Sequence, residues 1–291
     1  MPDQSFNLAT QVARRMDARD EISKLLRQTK ELESSKKINW LIYGRMRTGK
    51  TQSLGKVRRF PIMHASFDPG GWKSLTEVIK DDKVIVLDFE FDDPDKPTQY
   101  DAFTNLMDEY RAAKLFAHVG TFVIDGITSL GSHAMNKVLA ESLGGGDRGS
   151  AGRLWPQRQD YNPQMVLIMR VVQEALRLPC DVVIIAHEGV DKDDFTGRMM
   201  HAPLVTGVLK EKMPACIDEV YYSRILDTRQ ADGTVKSKHV FQVKGSEDYP
   251  AGSRLDVKHV LNEFEPQSYV HILKKLGIES EMKPATETKE Q

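Results

Sequence analysis

Brief apolar runs alternate along this chain with longer stretches whose apolar residues recur at helical spacing. Residues 38–43, Phe60–Phe67, Lys83–Glu90, Thr121–Asp125 and Cys180–Glu188 are short, nearly continuous apolar runs. Strands buried on both faces of a parallel sheet have this form. Residues 72–80 and 126–142 read as helices between them. Tyr100–Phe116 presents Phe103, Leu106, Met107, Tyr110 and Leu115 on one face, and Asn162–Leu178 presents Val166, Met169, Val171, Val172, Ala175 and Leu176. Pro179 stops the second of these. This alternation predicts an α/β fold, with a mostly parallel central sheet flanked by helices.

The pattern changes further along. Asp191–Met200 is polar with a Gly turn and reads as a loop or small hairpin. Glu219–Leu226 and Lys238–Lys244 flank Gln230-Ala231-Asp232-Gly233, which predicts a C-terminal antiparallel hairpin. Val260–Ile278 carries a modest helical pattern. Before the first strand, Leu8, Val12, Met16, Ile22, Leu25 and Leu26 punctuate a charged stretch as amphipathic helices do. The expected organisation is an N-terminal helical segment (1–37), an α/β core (38–250), a C-terminal helical segment (251–278) and a charged tail (279–291) expected to be disordered.

Composition narrows the class. The 291 residues include 41 basic and 42 acidic ones, so the chain lacks the overall basic excess of a nucleic-acid coat protein. No stretch is long and apolar enough to span a membrane, and Met-Pro-Asp-Gln does not begin a secretion signal. A cytosolic protein is expected. Cys180 and Cys216 have no metal-ligand spacing and read as two small buried hydrophobes.

The strongest chemical signal follows the first strand. Gly44-Arg45-Met46-Arg47-Thr48-Gly49-Lys50-Thr51 fits G-x-x-x-x-G-K-S/T at every fixed position, and Gln52-Ser53-Leu54 can continue as a helix. Glycines let backbone N–H groups curl around a phosphate without a Cβ in the way, and the following helix offers its positive end. Lys50 would reach the β- and γ-phosphates of ATP, and the Thr51 hydroxyl would ligate Mg²⁺.

Carboxylates end the other strands. Thr121-Phe122-Val123-Ile124-Asp125 places Asp125 where phosphate-loop ATPases keep the second Mg²⁺-associated group. Asp68, opening Asp68-Pro69-Gly70-Gly71, reads either as the group that orients the attacking water or as a turn-forming residue. Glu90 is its rival for the first role. His187 either senses the γ-phosphate or merely ends its strand. The Gly-rich stretch 144–153 reads either as a solvated linker or as part of a mobile basic loop, 144–158. In the second case Arg148, Arg153 and Arg158 would contact a nucleic-acid backbone, and Trp155 or Tyr161 would stack on bases. Lys244 and Arg254, after the hairpin strands, are candidates to reach a neighbouring subunit's γ-phosphate.

In this order the elements resemble the RecA-like P-loop ATPases, and more narrowly the phage-encoded members that include ATP-dependent single-strand annealing proteins. The resemblance rests on Gly44–Thr51, Asp68-Pro69-Gly70-Gly71, Thr121–Gly126, the strand ending at His187, and Ile217-Asp218-Glu219-Val220 before the hairpin. It implies a RecA-type core that binds ATP and Mg²⁺ and acts on single-stranded DNA in recombination. It also implies a homo-oligomer with ATP at the subunit interface, in the host cytoplasm if phage-encoded. Asp68 stands where relatives more often carry a glutamate, one methylene longer. Two functions follow as expectations: an ATPase acting on single-stranded DNA, or an ATP-dependent regulatory or assembly switch that does not touch DNA. A small-molecule kinase fits less well, since no arginine-rich lid follows the core.

Overall fold

The computed structural model describes residues 24, 37–142, 155–192, 196–230 and 232–278. Apart from Lys24, the helices expected before residue 35 lie outside the described residues, as do most of the Gly-rich loop and the tail from 279 onward. Contacts divide the chain into two units, Met1–Lys37 and Ile38–Gln291, and the sheet belongs to the second.

Among the described residues ten strands form the sheet: β1 (Asn39–Gly44), β2 (Ile62–Ser66), β3 (Val84–Asp88), β4 (Thr121–Asp125), β5 (Asp181–Lys192), β6 (Met199–Pro203), β7 (Glu219–Arg229), β8 (Val235–Gln242), β9 (Gly252–Ser253) and β10 (Phe264–Pro266). Their order is β10-β8-β7-β1-β5-β4-β2-β3, with β6 paired to β5 and β9 to β7. The stretch from β7 to β3 is parallel. The antiparallel hairpin β7–β8 and the pair β8–β10 extend one side. The helices are α1 (Thr76–Lys80), α2 (Gln99–Ala112), α3 (Ile127–Ser142), α4 (Tyr161–Ala175), α5 (Leu209–Ala215) and α6 (Tyr269–Lys275). No helix among the described residues is long and apolar enough to cross a membrane.

Both faces of β1, β2, β4 and the first half of β5 are covered, as their unbroken apolar runs require, whereas β3 at the sheet's edge is only partly buried, with Ile85 47% exposed. Along β1, Leu41 and Tyr43 join the layer that includes Phe67, Phe103, Phe122 and Val172, while Trp40 and Ile42 join the opposite layer with Val183, Phe241 and Tyr269. The alternation is the pleat of a strand read out in two cores.

Several local expectations change. The phosphate loop is followed by a five-residue 3-10 turn, Gln52–Lys56, and not by an α-helix. Gly55 packs so closely on Val78 that a Cβ there would lie 3.1 Å from its methyl, and Val57 already has extended backbone. Val166 is 68% exposed and Gln164 takes a buried place on α4. Leu115 is also exposed, because it falls in a 3-10 turn after α2 has ended. Cys216 is exposed, whereas Cys180 is buried.

The C-terminal segment differs most. Residues 251–278 contribute β9 and β10 to the sheet and only seven residues of helix. The Asp256 carboxylate accepts hydrogen bonds from the N–H groups of Val260 and Leu261, which fixes a turn where helix was expected. Pro266 lies in β10, and Ser268 then caps α6 by accepting from the His271 N–H.

Two buried charged groups tie distant parts together. Arg58 grips Asp181 through Nε at 2.6 Å and Nη2 at 2.7 Å, and Asp181 also accepts the Ile38 N–H. Glu219, fully buried at the start of β7, accepts hydrogen bonds from Tyr221 Oη, from Ser253 Oγ at 2.8 Å and from the Leu255 N–H at 3.2 Å. Burial raises its pKa to about 7 against the opposing pull of these donors.

Candidate functional site

Because β1, β5, β4 and β2 run parallel, their C-terminal ends share one edge of the sheet. Register sets Gly44 opposite His187, Asp125 opposite Ile185 and Ser66 opposite Asp125. Ligands of open α/β sheets bind at such an edge. The phosphate loop, Asp68, Asp125 and His187 therefore converge from residues far apart in the chain.

The loop is curled by Arg47 at φ +62° and Gly49 at φ +91°. Among the described residues, no hydrogen-bond acceptor meets the backbone N–H groups of residues 45–51. A run of unpaired N–H groups in a curled loop is a cradle for an anion. Lys50 is buried, and its Nζ donates to the carbonyls of Gly44 (2.8 Å) and Arg45 (2.7 Å). Burial lowers the Lys50 pKa, opposed by the charges of Asp125, Asp68 and Glu188. Arg45, Met46 and Gln52 are exposed.

Thr51 Oγ donates to Asp125 Oδ2 at 2.8 Å. A hydroxyl and a buried carboxylate in contact beside the cradle are hard oxygen donors of the kind Mg²⁺ takes together with substrate phosphates. β5 lies between β1 and β4 in the sheet, so the contact is made by the loop reaching across it. Asp125 Oδ2 is also 2.9 Å from Nε2 of His64, a fully buried residue of β2. His64 was hidden inside an apolar run. A histidine bonded to a carboxylate fixes its orientation.

The turn at Asp68 is closed by backbone, Gly71 N–H donating to the Asp68 carbonyl at 2.9 Å. Its side chain is thereby left to other partners. Ser129 Oγ donates to Oδ1 at 2.5 Å, and His187 Nε2 lies 3.0 Å from Oδ2. Burial works to raise the Asp68 pKa, but these two hydrogen bonds and the Lys50 charge prevail and hold the carboxyl below its ordinary value. A Cβ on Gly126 would sit 2.5 Å from Asp68 Oδ1, so glycine after Asp125 is what admits Asp68 to the site. Glu90 joins this group through Ser66, whose Oγ donates to Glu90 Oε1 at 3.3 Å.

This arrangement is that of a nucleotide-phosphate site: an N–H cradle, one buried lysine, a hydroxyl with its carboxylate, and an ionised carboxylate beyond them. A family model described as an AAA domain matches residues 36–255. The chain belongs to the AAA-domain family. It is an AAA-type P-loop ATPase domain, and Gly44–Thr51, with the P-loop sequence pattern, lies within the matched residues. No curated protein matches the chain.

The AAA domain also carries site neighbours that give no signal in sequence. Glu188, next to His187, has a buried side chain and meets Arg45 Nε at 3.1 Å, Tyr222 Oη at 3.1 Å and His201 Nδ1. It ties the loop to β6 and β7. Ser223, His239 and Gln267 hold Thr48 from the other side. None of these has a motif, because their partners are set by strand register.

Other expected residues stand apart. Arg148 and Arg153 lie outside the described residues. Arg158 is exposed in a 3-10 turn before α4. Lys244 is exposed just past β8, which runs antiparallel and carries it away from the phosphate loop. Arg254 follows β9, which pairs with the first residues of β7 at the opposite edge, and its guanidinium bonds the Ala215 carbonyl and Asp218.

Proposed function

We propose that this AAA domain hydrolyses ATP with Mg²⁺ and couples the turnover to single-stranded DNA, in recombination, annealing or replication. The observation that carries the reading is the pairing of Asp68 with His187 and Ser129 beside Lys50, Thr51 and Asp125. In this reading the loop N–H groups and Lys50 bind the phosphates. Thr51 and Asp125 hold Mg²⁺, which when bound neutralises charge developing on the phosphates. Asp68, ionised, accepts a hydrogen bond from the attacking water and orients it. His187 and Ser129 fix the carboxylate, and His187 registers whether phosphate is present.

The DNA part is supported by what borders the site. Thr128 Oγ1 donates to the Leu204 carbonyl and accepts from the His187 N–H. Thr128 also lines a groove of about 500 Å³ with Tyr161 and Met165. Trp155, 80% exposed, and Arg158 precede Tyr161 in sequence and supply a stacking surface and a cation. In an oligomer, the exposed Lys244 is free to meet a neighbour's nucleotide.

The near balance of 41 basic and 42 acidic residues favours a second reading, an ATP-dependent regulatory or assembly switch that does not bind DNA. ATP turnover by the purified protein, with and without a single-stranded oligonucleotide at two salt concentrations, separates the two. Stimulation that fades with salt supports the DNA reading, since phosphate contacts release counterions. Turnover indifferent to DNA refutes it and leaves the switch.

A further inference from the structure

The matched AAA domain ends at residue 255, yet the phosphate loop is completed by residues beyond it. Gln267 sits between β10 and the Ser268 cap of α6, so its backbone is fixed on both sides. Its side chain is buried, and Nε2 lies 2.9 Å from the Thr48 carbonyl, 2.8 Å from Ser223 Oγ and 3.2 Å from the Val240 carbonyl. Ser223 Oγ lies 3.0 Å from Thr48 Oγ1, which donates to the Arg45 carbonyl at 2.9 Å. That carbonyl is also the acceptor of Lys50 Nζ. An unbroken hydrogen-bonded relay thus runs from Gln267 through Ser223 and Thr48 to the atom on which Lys50 rests.

His239 Nδ1, 2.9 Å from the Thr48 carbonyl, adds a second donor to it. The first residue of α6, Tyr269, places its Oη 3.3 Å from Ser53 Oγ, which donates to the Lys50 carbonyl. A Cβ on Gly49 would stand 2.6 Å from Gln267 Oε1 and 3.0 Å from His239 Nδ1. The second glycine of the loop is therefore needed to let this C-terminal clamp close, as well as for its own backbone angle.

We propose that Gln267 is a positioning residue for nucleotide binding, holding the loop in the curl that leaves its N–H groups free for phosphate. The inference rests on the nucleotide reading of the loop. It is tested on the full chain with wild type, Lys50→Ala, Gln267→Met and Gln267→Glu. The readouts are affinity for a non-hydrolysable Mg·ATP analogue, amide exchange without nucleotide of Ser53 and Leu54, whose N–H groups close on the loop carbonyls of Gly49 and Thr51, and ligand-free melting.

Gln267→Met keeps the volume and removes the donor. It is expected to exchange the Ser53 and Leu54 amides faster and to bind about tenfold more weakly, while circular dichroism stays that of wild type. Gln267→Glu, ionised, sets an acceptor against two carbonyls. Protonated, it donates again, so its affinity relative to wild type should recover as pH falls from about 8 to about 6. Wild type binding no better than Lys50→Ala would remove the nucleotide reading itself. Wild type that binds, with Gln267→Met equal to it in affinity and amide exchange, would overturn the role of Gln267 alone. The Met variant decides this whether or not Gln267→Glu folds.

Discussion

Glu219 offers a test of the fold through pH. Its carboxyl is fully buried, and burial pushes its pKa up to about 7 from the ordinary 4.5. A carboxyl that binds its proton more tightly when folded stabilises the fold fully below the unfolded pKa and loses that contribution as pH rises through the folded one. The full shift corresponds to on the order of 3 kcal/mol, most of which falls between pH 5 and pH 8. Glu219→Gln mimics the protonated form: its amide N–H₂ faces Tyr221 Oη, and its oxygen accepts from Ser253 and Leu255. Urea unfolding of both proteins between pH 5 and pH 8 isolates the effect, because other titrations cancel in the difference. The two should be about equally stable near pH 5, with the variant ahead by roughly 2 kcal/mol near pH 8. Parallel pH profiles would refute the reasoning, and so would a wild type that gains on the variant as pH rises.

Further predictions concern the site. Lys50→Ala should reduce ATP binding or turnover by about a hundredfold or more with the fold retained, because it removes a buried cation beside the loop; retained turnover would refute the site. Asp68→Asn should lower turnover at saturating ATP by about a hundredfold or more, whereas Glu90→Gln should cost less than about tenfold. The reverse ranking in the same assay would move the water-orienting role to Glu90.

The parallel strands were legible because burial on both faces leaves a continuous apolar run, as at Phe122–Ile124 and Val182–Ala186. The phosphate loop was legible because its backbone demands glycine at Gly44 and Gly49. The hairpin was legible from the Gly-containing turn between β7 and β8. What sequence did not disclose is contact across register. His64 reads as one more member of an apolar strand until β2 is laid beside β4. Gln267 lies more than two hundred residues from Thr48, and only the pairing of β10 with β8 brings them together. Residues 260–278 misled for a local reason, since Asp256 and Pro266 impose turn and strand on a stretch with helical spacing. Nor could the sequence show that the turn at Asp68 is closed by the Gly71 N–H on its carbonyl, with the side chain bonded to Ser129 and His187.

His187 and Glu188 are consecutive in β5, and successive side chains of a strand point to opposite faces. One meets Asp68 and the other meets Arg45, so both contacts depend on a single count of residues from the start of the strand. Loss of one codon anywhere from Val182 to Ala186 would exchange the two side chains and break both contacts together. This short stretch should therefore tolerate substitution far better than it tolerates any change in length.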